Sequence, residues 1–234
     1  MKKFIAMLLV LVMAMSFAAC GASEPAFDPL QKAEGTMTYA EYAAAALESP
    51  VVVECFVQGN QSWWDNKITV YAQDPDGAYF LYEMACSEED AAKLVKGTKI
   101  KVTGYKAEWS GELEIIDSTF EILEGNWVAE AQDVTELLGS DELINHQNKF
   151  VSFKGLTVEG IEYKNGEPGD DIYVTFGYNG ASYDFCVERY LTGPETEVYA
   201  AVGALKAGDV VNVEGFLYWY NGAQPHLTSV TPAA

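Results

Sequence analysis

Short apolar runs recur along residues 50–232, separated by clusters of turn-forming residues, and their length and alternation predict strands rather than long helices. "VVVECFV" (51–57), "ITVYAQ" (68–73) and "GAYFLYEM" (77–84) make one series; "VSFKGLTV" (151–158), "IYVTFGY" (172–178) and "SYDFCVE" (182–188) make a second. The connections "DPDG" (74–77) and "YNGA" (178–181) read as tight hairpin turns. Helical spacing is confined to short stretches. "TYAEYAAAAL" opens on Thr38 with Glu41 three residues on, a capping box, and "DVTELL" repeats the pattern with Asp133 and Glu136. Two further short helices are predicted after Ser87 ("SEEDAAKLV") and after Gly193 ("GPETEVYAAVGAL"), with Pro194 suited to the first helical position of the second.

The two series belong to an internal repeat. "LVKGTKIKVTGYKAEWSGELEIIDST", from Leu94, aligns without a gap to "LKAGDVVNVEGFLYWYNGAQPHLTSV", from Leu205. Leu94, Gly97, Val102, Gly104, Tyr105 and Gly111 meet Leu205, Gly208, Val213, Gly215, Phe216 and Gly222. Each half therefore runs short helix, three strands, short helix, two strands. That order predicts a mainly β chain of two consecutive five-stranded Greek-key barrels of the OB type, over residues 37–124 and 125–234; a pair of open β-sandwiches is the alternative. "KGTKIKVTGY" and "AGDVVNVEGF" resemble the fourth strand of bacterial OB-fold domains, and the whole chain resembles tandem OB-fold lipoproteins of Gram-positive bacteria, a group without assigned function. The resemblance implies a fold and no particular chemistry.

The N-terminal residues 1–19 read as a secretory signal: Lys2 and Lys3, an apolar run from Phe4 to Phe17, then small residues up to Cys20. The run falls short of the roughly 20 residues needed to cross a bilayer. "FAAC" resembles the lipobox of bacterial lipoproteins, with Phe17 in place of the usual Leu. The resemblance implies lipidation of Cys20, palmitate included, and anchoring in the lipid bilayer at the outer, extracellular face of the cytoplasmic membrane. Residues 20–36 then read as a flexible tether.

Charge narrows the partners. The chain carries 35 acidic and 14 basic residues, a formal −21, and Arg189 is its one arginine. Such a field repels polyanions, so no nucleic acid is expected as a partner. Three cysteines remain after Cys20: Cys55, Cys86 and Cys186. They allow at most one internal disulfide, with Cys55 to Cys86 the pairing to test against buried free thiols.

Candidate chemistry centres on aromatic side chains. An OB barrel offers the face of its second and third strands, flanked by the loops joining strands one to two and four to five. Trp63 and Trp64 fall in the first of these loops, Trp109 in the second, and Tyr71 and Tyr79 lie on the strands between as a possible floor. Trp219 and Tyr220, in "YWYNG", hold the position in the second half that Trp109 holds in the first. The competing reading packs one or both of Trp63 and Trp64 against the other domain or over the end of the barrel. Acidic clusters at Asp74 and Asp76, Asp170 and Asp171, and "SEEDA" read as turns and helix starts rather than calcium sites. His146 and His226 lack partners at zinc spacing, and no nucleophile or phosphate-loop motif occurs, so neither metal, cofactor nor catalysis is expected. The expected function is a non-catalytic ligand-binding module for a neutral or cationic ligand such as a glycan or peptide. The alternatives are an interaction or scaffold subunit of a cell-envelope protein assembly and, more weakly, a hydrolase of envelope polymers.

Overall fold

A computed structural model describes residues 27–233. The signal segment and Cys20, with its expected lipidation, lie outside the described residues. The chain folds into two barrels. In the first, β1 (Pro50–Asn60), β2 (Lys67–Gln73), β3 (Ala78–Ala85), β4 (Thr98–Trp109) and β5 (Glu112–Asn126) close in the order β1-β2-β3-β5-β4. Helix α1 (Tyr39–Ala44) precedes β1, and α2 (Glu88–Ala91) lies between β3 and β4. The second sheet has a two-residue edge strand β6 (Gln132–Asp133), then β7 (Phe150–Tyr163), β8 (Ile172–Tyr178), β9 (Ala181–Val187), helix α3 (Glu197–Gly203), β10 (Val210–Phe216) and β11 (His226–Pro232). Because β10 also pairs with β7, this sheet closes on itself in the same cyclic order as the first. Both barrels have the parallel closing contact of the OB arrangement, β3 with β5 and β9 with β11, and the edge strand β6 adds a parallel pairing with β7. The predicted class, mainly β and OB-like, is the observed one.

Alternation explains each core. Val51, Val53, Cys55 and Val57 on β1 point inward with Ile68, Val70, Leu81, Ile100 and Val102, while Phe153, Val174, Phe176, Phe185 and Val213 fill the second barrel. The outer side of β1 is covered as well, which is why "VVVECFV" reads as an apolar run broken only by Glu54, itself buried and paired with Lys99. Phe27 meets the Phe56 ring edge-on at 5.9 Å, and Lys32 donates to the Glu54 carbonyl and pairs with buried Asp74. Residues 27–36, which composition reads as tether, thus lie against the barrel, held by a ring contact and a buried ion pair that composition does not register.

Local signals fared unequally. Thr38 and Glu41 form the complete capping box, and Ser87 caps α2. In the second half Asp133 instead accepts from the backbone and hydroxyl of Thr135, giving a 3-10 turn at Thr135–Leu137, and Glu136 accepts from the Tyr178 hydroxyl. Helix α3 starts at Glu197 with Thr196 as its cap, so Pro194 lies in the preceding loop rather than at the first helical position. Cys55, Cys86 and Cys186 are buried and unbridged.

Candidate functional site: an aromatic cleft beside the joint of two barrels

The loop between β1 and β2 resolves why two tryptophans sit among polar residues. Trp64 and Lys67 exchange backbone hydrogen bonds across a two-residue turn, and the central Asp65 and Asn66 both take positive φ, at 48° and 60°. That mirror-image turn favours Asp and Asn because they tolerate the left-handed region. The polar residues belong to the turn; the rings belong to its two sides. Trp63 turns inward, packs on the first core and donates its indole N–H to the Cys86 carbonyl at 2.9 Å. Trp64, the next residue, is left 72% exposed.

The loop is also fastened to the second barrel. The Ser62 backbone N–H donates to the Tyr190 carbonyl at 2.7 Å. Together Trp63, Trp64, Ile68 and Thr69 from the first barrel and Tyr190 from the second line a cleft of about 440 Å³. The rim carries Lys67 and Glu83, paired at 2.7 Å, so the ammonium is held above its ordinary pKa by the carboxylate beside it. The cleft is therefore apolar-walled, with an internally neutralised charge pair. Tyr190, Lys67 and Glu83 escape sequence reading; Tyr190 is 126 residues from Trp64 and reaches it only through barrel packing.

The remaining candidates lie elsewhere. Tyr79 points into the first barrel, fully buried, and donates its hydroxyl to Asp74 at 2.9 Å. Tyr71 does face outward, but the second barrel covers it: its ring stacks on Phe216 at 4.5 Å and 15°, and its hydroxyl meets His226 Nδ1 at 2.7 Å. Tyr71, Phe80, Ala129, Phe150 and Phe216 form a buried cluster joining the two barrels. Neither tyrosine floors an open site, because the face expected to hold a ligand holds the other domain. Burial drives the Tyr71 hydroxyl well above its usual pKa and pushes His226 down to about 3.

Trp109 does not line the cleft of Trp63 and Trp64. It is 53% exposed and its ring lies 5.2 Å from that of Tyr220. Trp219 is half-buried and lies over Gly111, whose φ of 88° and 2.8 Å clearance for a Cβ both require glycine. The β4–β5 turn is clasped further by the Asn221 N–H on the Ser110 carbonyl and the Trp219 N–H on Glu112. Three expected tryptophans at one end thus become two separate features.

No protein-family model matches the chain, and no curated protein does. Among solved structures it is similar to a murine DNA-binding protein bound with double-stranded DNA, at 16% identity and a TM-score of 0.36, over 80% of this chain and 97% of that one. It is similar to the Ifi202 HINa domain in complex with double-stranded DNA, at 13% identity and TM-score 0.35, over 80% and 98% of the two chains. A third, p202 HIN1 in complex with double-stranded DNA, shares 14% identity at TM-score 0.35, over 87% and 96%. These neighbours hold double-stranded DNA, against the expectation of no nucleic-acid partner, and that expectation is not carried forward; net charge sets the far field of a protein and not the chemistry of one cleft. The expected lipoprotein module for a glycan or peptide is not carried forward either. At this identity and TM-score, what those proteins bind is a statement about them.

Proposed function

We propose that this protein is a non-catalytic binding module that takes a nucleobase ring in the cleft of Trp64 and Tyr190. The observation that carries the reading is the exposed Trp64 indole, held on a tight turn beside a second exposed ring across the domain joint. A rigid aromatic surface loses little entropy on binding, and every base has a face to stack on. The cleft volume of about 440 Å³ lies within the range of small-molecule sites. Thr69 and the Lys67–Glu83 pair supply polar groups to meet a heterocycle's edge. A free nucleoside and a base splayed from a single strand offer the same ring.

Calorimetric titration with nucleosides and with short single-stranded oligonucleotides tests the reading. Stacking contributes about 1–3 kcal/mol per base, so Trp64→Ala and Tyr190→Ala are each expected to weaken binding by roughly tenfold or more, with Trp109→Phe unchanged. Oligonucleotide affinity is expected to rise with salt, since screening relieves repulsion from the acidic chain, the reverse of counterion release. Absence of nucleoside and oligonucleotide binding at millimolar concentration sinks the proposal.

A further inference from the structure

The β4–β5 turn of the first barrel drives one carboxyl into the second. Glu112 is fully buried. Its Oε2 accepts the Trp219 backbone N–H at 2.8 Å and the Gln147 side-chain amide at 3.3 Å, both from the second barrel. Gln147 also donates to the Gly111 carbonyl, and Asn148 donates to that of Leu113. The other carboxyl oxygen, Oε1, is buried without a partner. Among the described residues no cation forms an ion pair with Glu112.

The groups around it do not compensate a negative charge. Glu114, on the same strand, is a second carboxyl. Tyr42 from α1, Tyr71 from β2, and Tyr218 from the loop after β10 face it with neutral hydroxyls. Lys106 on β4 spends its ammonium on the carbonyls of Tyr42, Ala43 and Ala45. His146 and Lys149 flank the segment that carries Gln147 and Asn148, and neither pairs with Glu112. A buried carboxylate so placed is costly, whereas a carboxylic acid keeps both domain-crossing hydrogen bonds without burying an uncompensated charge.

We propose that Glu112 is a proton-dependent fastener between the two barrels: neutral, it locks the β4–β5 turn into the second barrel, and ionised, it loosens that joint. Burial first, then the neighbouring Glu114, push its pKa up to about 8, with hydrogen-bond donors opposing. The consequence reaches the cleft, a step that rests on the proposed function: Trp64 and Tyr190 belong to different barrels, so a looser joint misaligns the two rings.

Carboxyl NMR of the full chain labelled at Glu side-chain carbons, titrated from about pH 5 to about pH 10, reads the fastener directly. One resonance is expected to titrate far above the rest, to persist in Glu114→Gln and to vanish in Glu112→Gln. The ring signals of Phe216 and Tyr190 are expected to change with the same midpoint in the wild type and to stay fixed in Glu112→Gln. If Glu112→Gln fails to fold, the wild-type and Glu114→Gln titrations still decide. A Glu112 carboxyl already ionised at neutral pH overturns the proposal, as does its titration without any change at Phe216. Nucleoside affinity is expected to be roughly tenfold weaker at about pH 9 than at neutral pH in the wild type, and nearly level in Glu112→Gln. Ring binding absent at every pH, with the titration intact, overturns the cleft reading and leaves the fastener standing.

Discussion

The β2–β3 face of the first barrel and the β8–β9 face of the second are the same surface of the same fold, and they differ most sharply at one central cross-strand pair. On the first, Tyr71 stands directly opposite Phe80; at the equivalent place on the second, Thr175 stands opposite Asp184. The aromatic pair is buried under Phe216, Tyr218 and Phe150. The polar pair is bonded to itself, Thr175 hydroxyl to Asp184 at 2.7 Å, and borders an open depression with Tyr173 and Lys164. The central pair thus marks which face is an interface and which a solvent surface, since an outward ring gains nothing until something covers it.

Exchanging the pairs tests this most severely. Tyr71→Thr with Phe80→Asp puts a carboxylate without a counter-charge where rings were stacked and is expected to cost at least about 3–5 kcal/mol. Chemical denaturation is expected to split from one transition into two as the barrels uncouple. The reciprocal Thr175→Tyr with Asp184→Phe is expected to keep the fold but create an exposed apolar patch, read as self-association by size exclusion. A single unchanged transition in the first variant defeats the comparison.

Two titrating groups at the joint make the interface pH-dependent in opposite senses. Glu112 rises in the folded state from its ordinary 4.5 to about 8, so the folded protein binds the extra proton; its contribution is complete below 4.5 and is lost as pH rises through 8. His226 falls from 6.5 to about 3, chiefly through burial, so its contribution is complete above 6.5 and is lost as pH falls through 3. Between 4.5 and 6.5 the two slopes oppose, and stability is expected to plateau there. Each limb is expected to approach about 1.4 kcal/mol per pH unit at its steepest. Thermal melts across pH check it: Glu112→Gln is expected to flatten the alkaline limb alone, and His226→Gln the acidic limb alone.

The loops at the two equivalent barrel ends are anchored by different chemistry, and the difference predicts their sensitivities. Trp63→Phe removes the indole donor from the buried Cys86 carbonyl and is expected to cost about 1–2 kcal/mol by denaturation. In the second barrel the matching loop is tied by Lys164 to Asp171 at 2.8 Å, a pair whose lysine is half exposed. Lys164→Ala is expected to stay within about 0.5 kcal/mol.

What the sequence made legible follows from range. The repeat carried the strand order, both hairpin turns and the Thr38 capping box, because glycine register, turn residues and alternation act over a few positions. It did not carry the destination of Tyr71, since a ring on an outward face looks alike whether it awaits a ligand or a neighbouring domain. That Trp64 and Tyr190 line one cleft was hidden for a related reason: it depends on how two barrels dock. Glu112 gave no signal among 35 acidic residues. Only burial distinguishes it, and burial there is created by Gln147 and Trp219 arriving from the second barrel.

The smallest expected effect separates the two capping patterns. In "TYAE" the Thr38 hydroxyl accepts the Glu41 N–H while the Glu41 carboxylate returns to the Thr38 N–H, so both partners serve helix α1. In "DVTE" the first residue serves Thr135 and the last serves Tyr178 on β8, so the same spacing closes no box. The reason is local competition: a Thr at the third position offers Asp133 a backbone and a hydroxyl donor two residues away, nearer than the donor a helix would present. Thr38→Ala is therefore expected to cost about 1 kcal/mol, with α1 fraying first in hydrogen exchange. Thr135→Ala removes the competing hydroxyl, and it also strips the Lys154 backbone N–H of its acceptor. A gain of helix at residues 134–138 in that variant sharpens the comparison by naming the hydroxyl as the cause; an unchanged 3-10 turn assigns it to the tertiary frame instead.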